Sequence, residues 1–384
     1  MPDAVKARMI AVPDALLHPY TDLQPPFPGG LSGVHDGDIG RHKRHGKPAD
    51  CPPPQVDGPV ATLPGRYMYG GPLFIHYGHF ITESLGRLWG LSPADETYGP
   101  VDGVVFLPLT KLEIAGADDL RAYMTRTFEY LGLAPDRLVF PSAPVRVESL
   151  IVPEQGCGLG MPSLPAFRRF VAARRREKHS PHKYVYVSRE NYLHKASLLG
   201  ESLLAARLAA AGFFILRPEE YPIAEQVDIL ASADVLVFAE GSALHTMLLV
   251  PDYRGRVYIV RRRNNAQHFR PQLQGLGIDV REFDATVMLP QLFGQARWGH
   301  AMTDIRMVLH CLRLELGLDI DVPQRRDCID AVEADLLRYI DLARTADGLR
   351  RDNIEPFLAA VEVTGFAMPA FRQAYARHIM PRRA

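Results

Sequence analysis

The sequence predicts an α/β fold whose second half contains a parallel sheet. Three observations support this prediction. Between residues 184 and 260, short apolar strands alternate with amphipathic helices, as they do in right-handed βαβ units. Residues 69–160 mix helices and strands on a smaller scale. The chain of 384 residues, 47% of them hydrophobic, is also large enough for two globular cores.

The first 68 residues are predicted to be a Pro/Gly-rich N-terminal extension, because proline and glycine break helices and weaken strands. Residues 69–160 are predicted to form an N-terminal α/β domain. Its predicted elements are a helix over 76–91, a strand over 103–109, a helix over 118–133 and strands over 137–140 and 145–152. A Gly- and Pro-rich linker over 153–167 follows.

Residues 178–290 are predicted to form a Rossmann-like domain. Its strands are expected at 184–188, 213–216, 235–238 and 256–260, and its helices at 197–212, 223–233 and 243–250. Residues 291–384 are predicted to be a helical C-terminal region, because 303–318 and 330–346 are amphipathic at helical spacing. The sequence leaves open whether this region packs across both domains or covers a dimer interface.

Composition excludes several classes of function. The formal net charge is zero and the pI is near 7.3, so nothing indicates a nucleic-acid-binding protein. The four cysteines have neither zinc-site spacing nor a dense disulfide pattern. We expect a cytoplasmic protein without a membrane span, because no apolar run resembles a signal peptide or approaches 18 residues. The oligomeric state is not predicted.

The predicted strand over 235–238 runs into Glu240-Gly241-Ser242. Open parallel sheets bind ligands at the carboxyl ends of their strands, where a following helix offers free N–H groups to an anion. Gly241 allows close approach of the backbone, and Ser242 is able to cap a helix or bind a phosphate. A plain capped strand-to-helix turn explains these three residues equally well.

A second predicted strand ends at the same edge of the sheet, with Ser188 and Arg189. An arginine there is able to bind phosphate oxygens through its forked N–H groups, and Lys195 adds a second cation. Arg261 and Arg263 follow the last predicted strand and are further candidates for contact with a phosphate or an acidic acceptor. A positively charged loop is at least as good an interpretation. Together the two turns favour a phosphate-binding site more than either does alone.

Residues 70–285 resemble glycosyltransferase family 61, which includes many capsular-polysaccharide proteins. The resemblance rests on ordered motifs: an early His-bearing helix, a strand ending in Ser-Arg, and a long block that ends at the glycine turn. In this chain they read HYGHFITESLGRLW, YVSR and GESLLAARLAAAGFFILRPEEYPIAEQVDILASADVLVFAEGSALHTMLL. The family often has His-Gly-Ala-Gly where this chain has Glu240-Gly241-Ser242-Ala243, and a histidine follows here at His245.

The resemblance implies a GT-B-like architecture, in which two Rossmann-like domains face a cleft. It also implies an inverting transfer from a nucleotide sugar without a metal and without any cofactor besides the donor. The donor-binding residues that it suggests are Ser188, Arg189, Lys195, Glu240, Gly241, Ser242, His245 and Arg261. Glu240 is expected to bind the ribose hydroxyls, as acids beside phosphate turns often do.

A general base is expected on the N-terminal domain, where His79, Glu83 and Arg87 are spaced by four residues and share one face of a regular helix. His79 is the favoured base or acceptor-binding residue, and Glu83 is its partner or its rival. The alternative is an ordinary surface pair of Glu83 with Arg87. A metal site is disfavoured, because the acidic pairs at 36–38 and 319–321 do not follow an apolar strand.

These observations favour an inverting glycosyltransferase that extends a glycan or lipid-linked glycan, in capsular or other surface polysaccharide biosynthesis. Attachment at the inner membrane face is left open. The rival interpretation is a non-catalytic GT-B-like protein that binds a nucleotide or a glycan. A Rossmann dehydrogenase is disfavoured, because no strand is followed by Gly-x-Gly-x-x-Gly.

Overall fold

A computed structural model describes residues 7–22, 24–33, 38–52, 56, 58–175, 180–195, 198–263, 269–288, 301–345, 368–370 and 373. These residues form two main sheets with helices packed against them. The predicted α/β fold is therefore confirmed.

The N-terminal sheet has six strands. Their spatial order is Gly30–Leu31, Met9–His18, Val145–Pro153, Ala61–Leu73, Gly103–Pro108 and Leu138–Val139. The last four run parallel to one another, and Met9–His18 pairs antiparallel with the strands on both of its sides. All six residues of Gly103–Pro108 are buried, so this strand lies inside the sheet with both faces covered.

The first 68 residues therefore contain more regular structure than their composition predicts. The strand Met9–His18 is interrupted by Pro13 and by Asp14, which has a positive φ of 51° and no partner in the register. These two residues hide the strand from a pattern-based prediction, since proline and an isolated acid both indicate turns. This part of the chain contains three short strand pairs. Gly30–Leu31 pairs with Met9–His18, Phe27–Pro28 with Asp50–Cys51, and Lys43–Arg44 with Lys47–Pro48.

The C-terminal sheet has five strands, all parallel. Their spatial order is Phe214–Leu216, Tyr184–Val187, Val235–Ala239, Arg256–Val260 and Asp279–Phe283. Numbered along the chain, this is the order 2-1-3-4-5 of doubly wound folds. The fifth strand was not predicted, because its sequence DVREF is interrupted by charged residues.

A third, small sheet joins Leu198–Leu199, Ala301–Thr303 and Thr286–Met288. The α-helices are Tyr77–His79, Leu91–Tyr98, Ala122–Tyr130, Pro165–Ala172, Glu201–Ala210, Ile223–Ser232, Phe269–Gln274, Ile305–Leu316 and Arg325–Thr345. The 3₁₀ segments are Leu88–Gly90, Thr110–Leu112, Ala117–Asp119, Pro135–Arg137, Glu190–Lys195, Pro218–Glu220 and Ser242–Leu249, and Phe80–Ser84 is a π-helix. In the described part of the chain, no helix combines the length and the apolar character that crossing a bilayer requires.

The predicted helix over 76–91 is broken into a short α-helix, the π-helix and a 3₁₀ turn. Two glycines in this segment are in close contact with another part of the chain. A Cβ on Gly86 would lie 2.7 Å from the Cys157 carbonyl oxygen, and a Cβ on Gly90 would press into Pro153. The segment therefore follows the shape of the residues around 153–157 and departs from regular helical geometry.

The described C-terminal helices pack on the C-terminal half. Helix Arg325–Thr345 contacts Glu190–Lys195 and Glu201–Ala210. Asp335, which is buried, accepts a hydrogen bond from the backbone N–H of Gly200 over 2.7 Å. This carboxylate satisfies a backbone donor just before helix Glu201–Ala210, as a capping side chain does.

One hydrophobic cluster runs through both halves of the protein. It includes Phe80, Leu85 and Phe128 on the N-terminal side, and Phe238 and Leu244 on the C-terminal side. All five side chains are fully buried. The two sheets are therefore joined by a continuous core.

Candidate active site

Three parallel strands end at one edge of the C-terminal sheet with polar or charged residues. Tyr184–Val187 and Val235–Ala239 are neighbours in this sheet, although another strand lies between them in the chain. They form the topological switch point, where doubly wound sheets bind their ligands. Arg256–Val260 lies next to them and ends in three consecutive arginines.

Arg189 lies directly over Gly241. A Cβ built on Gly241 would lie 2.7 Å from Cζ of Arg189 and would also collide with its Nη1. The two turns that the sequence placed at this edge are thus in contact, and the missing side chain at position 241 leaves space for the guanidinium. Burial, together with the nearby charge of Arg263, lowers the pKa of Arg189.

Glu240 is buried, and both of its carboxylate oxygens are engaged. Oε2 accepts from the backbone N–H groups of Arg262 (2.7 Å) and Arg263 (3.0 Å), and Oε1 accepts from Nε of Arg263 (2.7 Å). Burial and the charges of Arg189 and Arg263 lower the pKa of Arg262 to about 9. Glu240 therefore holds two arginines beside Arg189, and the predicted binding of ribose by Glu240 stays a prediction.

Two other predicted donor-binding residues have different surroundings. Arg261 faces acids, with Nη1 3.3 Å from Asp284 Oδ2 and Nε 3.8 Å from Glu282 Oε2. The side chain of Lys195 lies outside the described residues. The cations that contact Glu240 at this strand end are Arg262 and Arg263, whereas Arg261 points toward the neighbouring strand.

Ser188 belongs to a buried network beneath Arg189. Oε1 of Glu201 accepts from the Ser188 hydroxyl and the Tyr186 hydroxyl, both over 3.0 Å, and from the Arg189 backbone N–H over 2.5 Å. Oε2 of Glu201 is buried and has no hydrogen-bond partner in the described residues. Burial outweighs these hydrogen bonds and raises the pKa of Glu201 to about 7.

On the N-terminal side, His79 and Glu83 form a hydrogen-bonded pair through Nδ1 and Oε2. The side chain of His79 is 35% exposed, whereas that of Glu83 is fully buried. Arg87 does not join them, because the π-helix turns it away. Its buried guanidinium donates to the carbonyls of Ile39 and Arg41, each over 2.9 Å. The interpretation of Glu83 and Arg87 as a surface pair is wrong.

Residues 38–51, here called the N-terminal arm, bring two further side chains to Glu83. His42 Nε2 donates to Oε1 over 2.8 Å. Arg44 donates from Nε to Oε1 (2.5 Å) and from Nη2 to Oε2 (3.1 Å). Burial alone raises the pKa of Glu83, but the hydrogen bonds from His42 and His79 and the charge of Arg44 outweigh it and hold that pKa well below its usual range.

The arm is fixed by buried polar contacts. Asp50 accepts from Tyr20 Oη (3.2 Å), from Arg41 Nε (2.6 Å) and from the backbone N–H of His42 (2.9 Å). The Gln155 side chain accepts from the backbone N–H of Lys43 (2.8 Å) and donates to its carbonyl (3.0 Å). Hydrogen bonds to the backbone of His42 and of the following Lys43 therefore fix the position of His42.

The two groups of residues meet where helix Tyr77–His79 packs on the segment Ser242–Leu249. A Cβ on Gly78 would lie 3.1 Å from Ser242 Oγ and 2.9 Å from His245 Cδ2. The Tyr77 hydroxyl is 2.7 Å from Thr246 Oγ1. Since His79 follows Gly78 and Ser242 follows Gly241, the contact places the His79–Glu83 pair next to the arginine-bearing edge.

His245 contributes to this contact as a packing residue. It is buried, its Nδ1 lies 2.8 Å from Gln272 Oε1, and its ring packs against Phe269 with 4.9 Å between centroids. A cavity of about 680 Å³ lies elsewhere, beside Met302, Arg306 and Ile329. In the described residues, no three His, Cys, Asp or Glu side chains are grouped so as to hold a metal ion.

Sequence reasoning missed His42, Arg44 and Arg262 at this site. A signal for the first two was present, because residues 41–47 read RHKRHGK and place basic and imidazole groups in a stretch otherwise rich in proline and glycine. The partner of these groups, Glu83, lies about forty residues further along the chain, and no local pattern links them.

Comparison with known proteins identifies a family for the part of the chain that carries most of these residues. The family model described as Glycosyltransferase 61 matches residues 77–267, about half of the chain, and this region includes Gly78, His79, Glu83, Arg189 and the turn at Gly241. No curated protein matches the chain. The motifs, their order and the family match agree, and the chain belongs to glycosyltransferase family 61.

Proposed function

We propose that this protein is an inverting glycosyltransferase that moves a sugar from a nucleotide sugar to a glycan acceptor. The observation that carries the proposal is the meeting of two chemically different groups at one place. Arg189, Arg262 and Arg263 surround the glycine turn, and the His79–Glu83 pair lies across the Gly78–Ser242 contact. The first group suits a leaving phosphate and the second suits removal of a proton.

The arginines are the proposed binding site for the donor diphosphate. Burial lowers the pKa of Arg189 and of Arg262, and the charge of Arg263 lowers both further, as the charge of Arg189 does for Arg262. The guanidinium groups are therefore held close together at a cost that a bound anion would relieve. One guanidinium group is able to bind two phosphate oxygens through two parallel N–H groups. The Gly241–Ser242 backbone and the Ser242 hydroxyl are proposed to complete this site, with Lys195 as a further donor ligand.

His79 is the proposed general base. Because Glu83 accepts a hydrogen bond from Nδ1, the other ring nitrogen carries the lone pair. An acceptor hydroxyl would attack the anomeric carbon in line, its proton would pass to His79, and the bond from that carbon to the diphosphate oxygen would break. Glu83 is proposed to orient the ring, because its carboxylate is buried and already accepts hydrogen bonds from three side chains.

The remaining parts of the proposal follow from the family. We expect a GT-B-like arrangement, with the donor on the C-terminal sheet and the acceptor facing the N-terminal half. We expect no metal and no cofactor besides the donor. The expected acceptor is a glycan or lipid-linked glycan of a capsule or other surface polysaccharide, and the expected place is the cytoplasm, at the inner membrane face when the acceptor is lipid-linked.

The first test is a thermal-shift comparison of UDP, GDP, CMP and dTDP, each with Mg²⁺ and with EDTA. A ligand that binds only the folded protein raises the melting temperature. We expect one diphosphate to raise it equally under both conditions, and Arg189→Ala to abolish the shift while folding normally. A shift that required Mg²⁺ would contradict the metal-independent proposal.

The second candidate function is nucleotide or glycan binding without catalysis. It is favoured by one observation: Glu240 stands where the family often has histidine, and its carboxylate is occupied by Arg262 and Arg263. To separate the two functions, the protein is incubated with nucleotide sugars that carry the diphosphate found to bind. Release of that diphosphate, lost in His79→Ala, would support the transferase, whereas tight binding without release from any donor would support the binding protein.

A further inference from the structure

The His79–Glu83 pair is completed by a part of the chain that precedes the family match. The matched residues begin at 77, whereas His42 and Arg44 belong to the N-terminal arm. Both bind the Glu83 carboxylate directly. None of the three motifs on which the family resemblance rests includes either residue.

We propose that His42 and Arg44 are positioning residues for sugar transfer, which together keep Glu83 ionised and directed at Nδ1 of His79. This inference rests on the proposed function, in which His79 is the base. It assigns to the arm a role in the reaction and to Glu83 a single orientation.

The Glu83 carboxylate receives as many N–H contacts as it has acceptor positions. An ionised carboxylate has about four acceptor positions and no donor. Those of Glu83 receive four N–H contacts: one from His42, two from Arg44 and one from His79. A carboxylate in this arrangement has no position left for the proton of an acceptor hydroxyl, and both of its oxygens are fixed in direction.

The negative charge of the buried Glu83 is balanced by Arg44. A buried carboxylate is very unfavourable without a counter-charge. Arg44 supplies that charge through two parallel N–H contacts, which is the strongest geometry for this pair. Neither His42 nor His79 therefore needs a second ring proton to compensate Glu83, and His79 is able to enter the reaction as a neutral imidazole.

Packing against aromatic rings holds the side chains of both His42 and Arg44. The Arg44 guanidinium lies over Phe27, 4.6 Å from its ring centroid, and over Phe74 at 5.3 Å. The His42 ring also stacks on Phe27, with 5.7 Å between centroids and an angle of 27° between planes. Such support fixes the direction of the donors that meet Glu83.

In the described part of the chain, titratable and charged groups from three segments surround Glu83. They are His42 and Arg44 from the arm, His79 from its own segment and the Cys157 thiol, whose own pKa is raised by burial and by the charge of Glu83. Since the pKa of Glu83 is held below its usual range, the folded protein keeps this carboxylate ionised in acid where the unfolded chain binds a proton, below about pH 4.3. Unfolding between pH 5 and pH 3 then takes up that proton.

The test compares four variants with wild type. His42→Phe removes the N–H donor, and His42→Gln retains one. Arg44→Met removes the counter-charge without removing a group that titrates in acid. Lys47→Ala is the matched control, because Lys47 is an exposed residue of the same hairpin and has no contact with Glu83. The measurements are kcat and KM for the donor, the nucleotide-induced thermal shift, and proton uptake on urea unfolding between pH 5 and pH 3.

We expect His42→Phe to lower kcat about a hundred-fold, the loss that a small misplacement of a catalytic group causes. Its donor KM and nucleotide shift should match wild type, and His42→Gln should restore most of kcat. Arg44→Met should take up about one proton fewer on unfolding. Lys47→Ala should leave every measurement unchanged.

Three results would overturn the inference: a wild-type kcat in His42→Phe, equal losses of kcat in the phenylalanine and glutamine variants, or unchanged proton uptake in Arg44→Met. Failure of the proposed function is distinguishable from these. A wild-type protein that transfers no sugar from any donor defeats the transferase, and with it the catalytic part of the inference. Proton uptake then still decides whether the arm keeps Glu83 ionised.

Discussion

At the scale of single residues, the volume of a side chain decides which neighbouring groups fit into the site. Gly241 is the clearest case, because its backbone is extended, with φ of 175°, and any residue would adopt this conformation. The glycine is required by the space that the Arg189 guanidinium occupies. The constraint is therefore on side-chain volume, and backbone strain plays no part in it.

Gly241→Ala is expected to weaken donor binding while the protein remains folded. The added methyl collides with the end of a flexible arginine, which is able to move, so the melting temperature should stay close to that of wild type. Loss of one charge-assisted hydrogen bond corresponds to a roughly ten- to hundred-fold rise in the Kd of the nucleotide. Isothermal titration calorimetry measures this Kd.

The control is Gly116→Ala, since no atom lies within 4 Å of a Cβ at that position. Its nucleotide Kd should equal that of wild type. An unchanged Kd in Gly241→Ala would show that Arg189 does not need its observed position to bind the donor.

At the scale of elements, strand ends are tied to helix starts by buried acids. Glu201 is the first residue of helix Glu201–Ala210, and it holds the end of strand Tyr184–Val187 through Tyr186, Ser188 and Arg189. Asp335 ties the same helix start to the C-terminal helix. The position of Arg189 therefore depends on three elements that are distant in the chain.

Glu201→Gln tests this connection through pH. The folded pKa of Glu201 is raised to about 7, above the unfolded value of about 4.3. Between these values the folded protein holds a proton that the unfolded chain releases, so the contribution of Glu201 to stability falls as the pH rises through this window. The stability of Glu201→Gln relative to wild type should rise between pH 4.5 and pH 8, by up to about 3 kcal/mol.

Urea unfolding at the two pH values measures this difference. Asp279→Asn, which changes an exposed acid on a strand of the same sheet, is the control. A relative stability of Glu201→Gln that did not change with pH would mean that Glu201 is ionised to the same extent in both states.

The elements differ in how well their sequences predict them. The parallel strands and the contact between Arg189 and Gly241 follow from local patterns, because strand ends must share one edge of a parallel sheet. The pairing of His79 with Glu83 also follows from spacing. His42 was not predictable, since its partner is distant in sequence. The π-helix was not predictable either, because the segment to which it belongs packs at Gly86 against residue 157, which is distant in the chain.

At the scale of the whole molecule, the two halves share one core. Phe80, Phe128 and Leu85 belong to the same cluster as Phe238 and Leu244, and the site lies where the halves touch. A protein built in this way should unfold as a unit, because the loss of either half exposes the apolar surface of the other.

Leu244→Ala is expected to lower the temperature of a single calorimetric transition without dividing it into two transitions. Leu244 is fully buried, and truncation of such a leucine costs about 2–5 kcal/mol. Differential scanning calorimetry and far-UV circular dichroism should give the same transition temperature. Leu314→Ala, at a side chain that is 67% exposed, should leave the transition temperature unchanged. Two transitions, of which Leu244→Ala moved only one, would mean that the halves unfold independently.

The shared core also has a mechanical consequence. Rotation of the halves away from each other would expose apolar surface at about 2.5 kcal/mol for every 100 Å², so a wide hinge opening is costly. Small displacements of surface segments expose far less of this surface. We therefore expect substrates to enter and products to leave through local motion around a nearly rigid body. Solvent viscosity and loop substitutions should then change the turnover rate more than core mutations do.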